Sequence, residues 1–138
     1  MIAIDTNILL RYLLQDDPLQ SPKANKLLSG RETILITDIV LVETIWTLRG
    51  KKYKLPKTDL VTVLSQLIEE SNIVFEDSQT VWQALQDYRS AEKGNDVDFA
   101  DTLILAKSQY DVGVKQTTFG GLFTFDKHLQ QFRGTKKP

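Results

Sequence analysis

The sequence has no cysteine, which excludes both a disulfide framework and a thiolate metal site. It has one histidine, His128, and a lone imidazole without a partner is a poor starting point for a nitrogen-ligated metal centre. Charge of one sign is also lacking. The net charge of −1 and a pI of about 5.8 argue against a general nucleic-acid coat protein, which would be basic. They leave room for an enzyme with a local basic patch beside acidic groups. No apolar run reaches the length of a membrane span. Met1-Ile2-Ala3-Ile4-Asp5 carries neither a basic region nor a long apolar stretch, so it does not read as a signal peptide, and a cytoplasmic location is expected. Internal repeats, low-complexity tracts and long linkers are absent.

What is present suits one compact globular unit. A chain of 138 residues with 41% hydrophobic residues can build a core without disulfides or structural metal. A single domain over 1–133 is expected, followed by a short mobile tail over 134–138. Short β-branched or apolar runs at Ile2–Ile4, Thr33–Thr37, Ile73–Phe75 and Leu122–Phe125 read as strands. Between them, helical periodicity runs over Asn7–Leu14, from Asp16-Asp17-Pro18 to about Ser29, and over Asp38–Arg49. It returns over Lys57–Glu70, from Ser78 to about Ala91 and over Asp98–Tyr110, and a last short helix follows Asp126. Strands alternating with helices imply an α/β fold with a parallel sheet wrapped by helices.

In such sheets ligands gather at the carboxyl ends of strands. Asp5 and Asp126 stand at strand ends in this reading, although an Asp between a strand and a helix also serves as an ordinary N-cap. Glu43 lies in Ile39-Val40-Leu41-Val42-Glu43-Thr44-Ile45-Trp46-Thr47-Leu48, apolar on nearly every side, so it is expected to be buried. A buried carboxylate calls for a cation, either a Lys or Arg partner or a metal. Asp98 and Asp101 share a face at a helix start, where one can cap and the other can favour the helix dipole; Asp96 just outside reads as solvated. An oxygen-only donor set suits Mg²⁺ or Mn²⁺ rather than Zn²⁺. His128 reads as a surface residue. Arg49, Lys51, Lys52 and Lys54 read either as cations at a helix C-terminus or, with Arg11, as a track for a phosphate backbone.

Taken together, Ile4-Asp5-Thr6-Asn7, Leu41-Val42-Glu43, Asp98-Phe99-Ala100-Asp101-Thr102-Leu103-Ile104 with Ala106, and Thr124-Phe125-Asp126 resemble the PIN domain, specifically the VapC-type toxin of bacterial toxin–antitoxin pairs. The resemblance covers essentially the whole chain. It implies a three-layer α/β/α fold with a central parallel sheet and a Mg²⁺- or Mn²⁺-dependent endoribonuclease. It implies catalytic roles for Asp5, Glu43, Asp101 and Asp126, metal ligation by Asp5, Asp101 and Asp98, and supporting roles for Asn7 and Thr124. The partners implied are an RNA substrate, a small antitoxin that covers the acidic cleft, and a second copy in a homodimer. The stretch from Asp111 to Gly121 is longer than the family's usual connection before its last strand.

Two other readings compete. A haloacid-dehalogenase-like phosphatase also has an Asp after its first strand, but it needs a second Asp two residues on, where this chain has Asn7. A PIN-like binding module without activity would have lost one of the acids, and all are present.

Overall fold

The computed structural model describes all 138 residues, Met1 to Pro138. It is α/β, with helices and a central parallel sheet, the class expected from the sequence. The chain divides into two compact units, Met1–Ser78 and Gln79–Pro138.

The first unit holds the three-stranded sheet. Strand β1 (Ile2–Ala3) pairs in parallel with β2 (Ile34–Ile36), which pairs in parallel with β3 (Ile73–Phe75). The register aligns Ile2 with Ile34 and Ile34 with Ile73, so β2 is the central strand. Ile34 and Ile36 are fully buried, as a strand flanked on both sides requires. Four helices belong to this unit: α1 (Thr6–Leu14), α2 (Gln20–Leu28), α3 (Asp38–Arg49) and α4 (Lys57–Glu69). Their limits follow local chemistry. Thr37 caps α3 through its hydroxyl, which accepts from the Val40 N–H, and Gly50 ends that helix. Pro56 stands directly before α4.

The start of α2 differs from the expectation. The helix begins at Gln20, after Pro18 and Leu19 have formed a turn, rather than at Asp16–Pro18. Asp17 nevertheless caps it from outside, since its Oδ1 accepts from the N–H groups of Leu19 at 2.9 Å and Gln20 at 2.7 Å. Those two backbone hydrogen bonds hold the Asp17 carboxyl below its ordinary pKa.

Helix α3 brings the principal correction in this unit. It buries Leu41, Thr44, Ile45 and Leu48, and it turns Ile39, Glu43, Trp46 and Thr47 to solvent. Ile39 is 72% exposed and Trp46 is 55% exposed. Glu43, expected to be buried, is therefore exposed. Apolar residues all round the helix conceal which side faces inward, and the buried side is the one spaced three and four residues apart that lacks Glu43.

The second unit contains α5 (Ser78–Ser90) from Gln79 on, α6 (Phe99–Val114), strands β4 (Leu122–Phe123) and β5 (Thr135–Lys136), and a 3₁₀ turn at Leu129–Gln131. Tyr88 of α5 meets Phe99 of α6 edge to face, with ring centroids 6.0 Å apart. Strand β4 is shorter than the Leu122–Phe125 expected, and it forms its own parallel ladder with β5, aligning Leu122 with Thr135 and Phe123 with Lys136. Residues 134–138, set apart in the sequence as a tail, thus supply β5. Leu122 donates to the Gly134 carbonyl at 2.8 Å and Thr124 to the Lys136 carbonyl at 3.0 Å. Gly134 turns the chain there at φ +92, a region that favours glycine.

Two expectations test this fold. Leu41→Ala should cost about 2–5 kcal/mol in urea unfolding, whereas Ile39→Ala should stay within about 0.5 kcal/mol of the parent. The reverse order would mean that α3 is turned the other way, with Glu43 inside. Asp17 has a lowered pKa, so its contribution to stability is present above the ordinary carboxylate range and lost as pH falls through the lowered value. An acid titration followed by circular dichroism should show a shallower loss of helix for Asp17→Asn than for the parent, from a lower starting stability.

Candidate active site

Four of the candidate acids, Asp5, Asp98, Asp101 and Asp126, sit at or beside the start of a helix or 3₁₀ turn, and the backbone explains why acids suit those places. A helix start leaves N–H groups without intrahelical partners, and a short carboxylate is well suited to accept from them. Asp5 follows β1 and is the N-cap of α1, with Oδ1 accepting from the Ile8 N–H at 2.9 Å. The residue is exposed. Asn7, in the first turn of the same helix, donates from Nδ2 to Gln20 Oε1 at 3.1 Å, which ties α1 to the start of α2. Glu43 lies midway along α3 on its solvent side, and its carbonyl accepts from the Thr47 hydroxyl at 2.8 Å.

In the second unit, Asp98 is the N-cap of α6 and Asp101 lies in its first turn. The Asp101 Oδ2 accepts from the Asp98 backbone N–H at 3.1 Å, the return half of a capping box, and both residues are half-buried. Asp126 follows β4. Its Oδ1 accepts from the N–H groups of His128 at 2.8 Å and Leu129 at 3.3 Å, so it organises the 3₁₀ turn. Its own N–H donates to Thr124 Oγ1 at 3.0 Å. Thr124 therefore holds the turn that presents Asp126.

Sequence reasoning missed a latch inside this unit. His128 is half-buried, not a free surface residue. Its Nδ1 accepts from the Asp96 N–H at 3.2 Å, and its carbonyl accepts from Asn95 Nδ2 at 3.1 Å. The same Asn95 amide donates to Gln131 Oε1 at 3.1 Å, and its Oδ1 accepts from the Val97 N–H at 3.0 Å. Hydrogen bonds thus link Asp126 through His128 to Asp96, two residues before the cap of α6. The sequence shows Asp96 only as a solvated acid outside α6, because its partner lies more than thirty residues away, beyond the reach of a local pattern.

Arg11 also differs from its expected role. Its Nη1 is 2.6 Å from Asp16 Oδ1 and its Nη2 donates to the Tyr53 hydroxyl at 3.4 Å, and only 14% of its side chain is exposed. Tyr53, followed by Asp16, raises the guanidinium pKa further. A paired, half-buried cation of this kind is structural rather than a free contact for a phosphate backbone. Lys51, Lys52 and Lys54 remain exposed beyond α3, with the Lys52 ammonium 5.2 Å from the centre of the Tyr53 ring.

Every candidate ligand is a carboxylate oxygen, which fits a hard divalent cation such as Mg²⁺ or Mn²⁺. Within neither unit are three His, Asp or Glu side chains gathered into a cage. Mg²⁺ does not require one, because it keeps several waters and uses one or two carboxylates with substrate phosphate. His128→Ala should lower stability by about 1–2 kcal/mol in urea unfolding, and amide exchange should quicken at Asp96 and Val97. Unchanged exchange at both would remove the latch.

Comparison with curated proteins and with solved structures returned no match. A family model, the PIN domain, matches residues 2–134. Its members are generally metal-dependent nucleases with a three-layer α/β/α fold and a central parallel sheet. Because that match runs from β1 through the 3₁₀ turn and takes in each acid described above, the chain belongs to the PIN domain family.

Proposed function

We propose that the protein is a Mg²⁺- or Mn²⁺-dependent endoribonuclease whose working acids are Asp5, Glu43, Asp101 and Asp126. The observation that carries this reading is the family match across 2–134, with an acid at each motif position and none missing. Asp5, Asp98 and Asp101 would hold the metal, acting with the rest as one domain over 1–133. When bound, the metal supplies positive charge beside the scissile phosphodiester and lowers the pKa of a nearby water.

The chain's own residues then have distinct tasks. Asp5 has one oxygen committed to the Ile8 N–H, and its second oxygen would be offered to the metal. Asp126 is arranged alike: Oδ1 accepts from the turn, and Thr124 sets the backbone behind it. Glu43, exposed on a helix rather than lying in a core, would ligate or orient the attacking water. Water attack on phosphorus with loss of the 3′-oxygen would leave a 5′-phosphate and a 3′-hydroxyl. Asn7 and Thr124 support the site by fixing the starts of α1 and of the Asp126 turn.

The finer roles in this proposal are those of a VapC-type toxin: RNA as substrate, a small antitoxin as inhibitor, a homodimer and a cytoplasmic setting. The order of the four motifs supports them. No helix is long and apolar enough to cross a membrane.

The test is cleavage of a labelled single-stranded RNA with Mg²⁺ or Mn²⁺, against EDTA. Asp5→Asn and Asp101→Asn should each lower the rate by at least about a hundredfold while the chain stays folded. Cutting that survives both substitutions, or that continues in EDTA, would sink the proposal. Metal binding without cleavage of RNA, DNA or a phosphate monoester would favour an inactive binding module.

A further inference from the structure

An exposed aromatic stands beside Asp126, and the residues around it are not those of a core. Phe125 is 87% exposed, the most exposed of the large hydrophobic side chains. It lines an open cleft of about 610 Å³ together with Lys127, Gln130, Gln131, Lys137 and Pro138, all within the second unit. That volume lies in the ~300–1,000 Å³ range of small-ligand sites. Two residues earlier in the chain, Phe123 is 61% exposed and is aligned with Lys136 of β5. The Lys136 stem lies across Gly121, where an added Cβ would meet its Cδ at 3.0 Å, so glycine there makes room for the lysine.

We propose that this cleft is a nucleotide subsite, in which a base of the single-stranded RNA flanking the cut stacks on Phe125 and its phosphate meets Lys127 and Lys137. A base has a flat π-face that an exposed ring can cover, and its phosphate needs cations. The two glutamines are set to read a base edge. Gln130 commits Nε2 to the Thr124 carbonyl, and Gln131 commits Oε1 to Asn95. Gln130 Oε1 and Gln131 Nε2 therefore remain as an acceptor and a donor at the cleft. A protein partner would use the aromatic, but the pairing of two lysines with two half-committed amides fits an anionic strand with hydrogen-bonding bases better. Phe125 and Lys127 flank Asp126 in the chain, and Asp126 itself does not line the cleft, so the subsite would hold a nucleotide beside the cut rather than at it. The inference deepens the nuclease reading and rests on it for the identity of the strand.

The measurement is fluorescence anisotropy of a labelled ten-nucleotide single-stranded RNA on the full chain. An Asp5→Asn background with Mg²⁺ present prevents cutting. Phe125→Ala should weaken binding about tenfold, ~1.4 kcal/mol, and Phe125→Trp should restore it. Replacing Lys127 and Lys137 by alanine should flatten the slope of log Kd against log salt by about 1.4, roughly 0.7 for each phosphate no longer neutralised. Because Phe125 is exposed, Phe125→Ala should keep the parent's circular dichroism. The proposal is overturned if Phe125→Ala binds within about twofold of its parent, if the parent binds no RNA, or if Phe125→Ala only turns a dimer into a monomer. Phe125-insensitive binding by a chain that cuts RNA removes the subsite and leaves the nuclease. Phe125-sensitive binding by a chain that cuts nothing does the opposite.

Discussion

Helix starts leave backbone N–H groups without partners, and the candidate site depends on how this chain satisfies them. Three of the candidate acids accept near such a start: Asp5 before α1, Asp101 in the first turn of α6, and Asp126 before the 3₁₀ turn. A lone acid on a loop would swing through many rotamers. An acid bonded to the backbone two or three residues away is held in one, and the ordering costs nothing further when a ligand arrives. Capping and chemistry are therefore not rival explanations of these residues. The cap engages one oxygen of Asp5 and of Asp126, and a carboxylate has a second.

Most of the architecture was legible because punctuation is local. Helix α3 runs over the span that its pattern and Gly50 indicated, and β3 has the limits read from Ile73–Phe75. Pro56 marks the start of α4, and the run beginning at Phe99 follows from Asp98. Where the sequence was silent, the interaction was non-local. Thr135–Lys136 is a polar pair with no strand signature, and it becomes β5 only because β4 offers unpaired backbone groups. His128 acts through Asp96, which no spacing rule connects to it.

The candidate acids could be named from the sequence, but their environments could not. Asp5, Asp98, Asp101 and Asp126 occupy the junctions that the motifs imply, whereas Glu43 drew notice for an expected burial that α3 does not provide, since the helix turns it outward. Helical periodicity finds the inner face only when the outer face is polar, and Ile39 and Trp46 mask the outer face of α3. Glu43 keeps its place in the proposal through the motif alone. Its exposure removes the need for a buried counter-cation.

The β4–β5 ladder has a consequence for how the second unit breathes. Two rungs of parallel pairing, aligned at Leu122 and Phe123, make a weak clasp, and weakly clasped segments open at a small fraction of the global unfolding free energy. The segment that opens with it carries Thr124, Phe125 and Asp126. Opening of the clasp would loosen the turn that holds this acid. A ligand that bridges the two strands would shift that balance toward the closed form, so occupancy would be felt as slower solvent exchange along 122–126 even where no atom of the ligand touches the backbone.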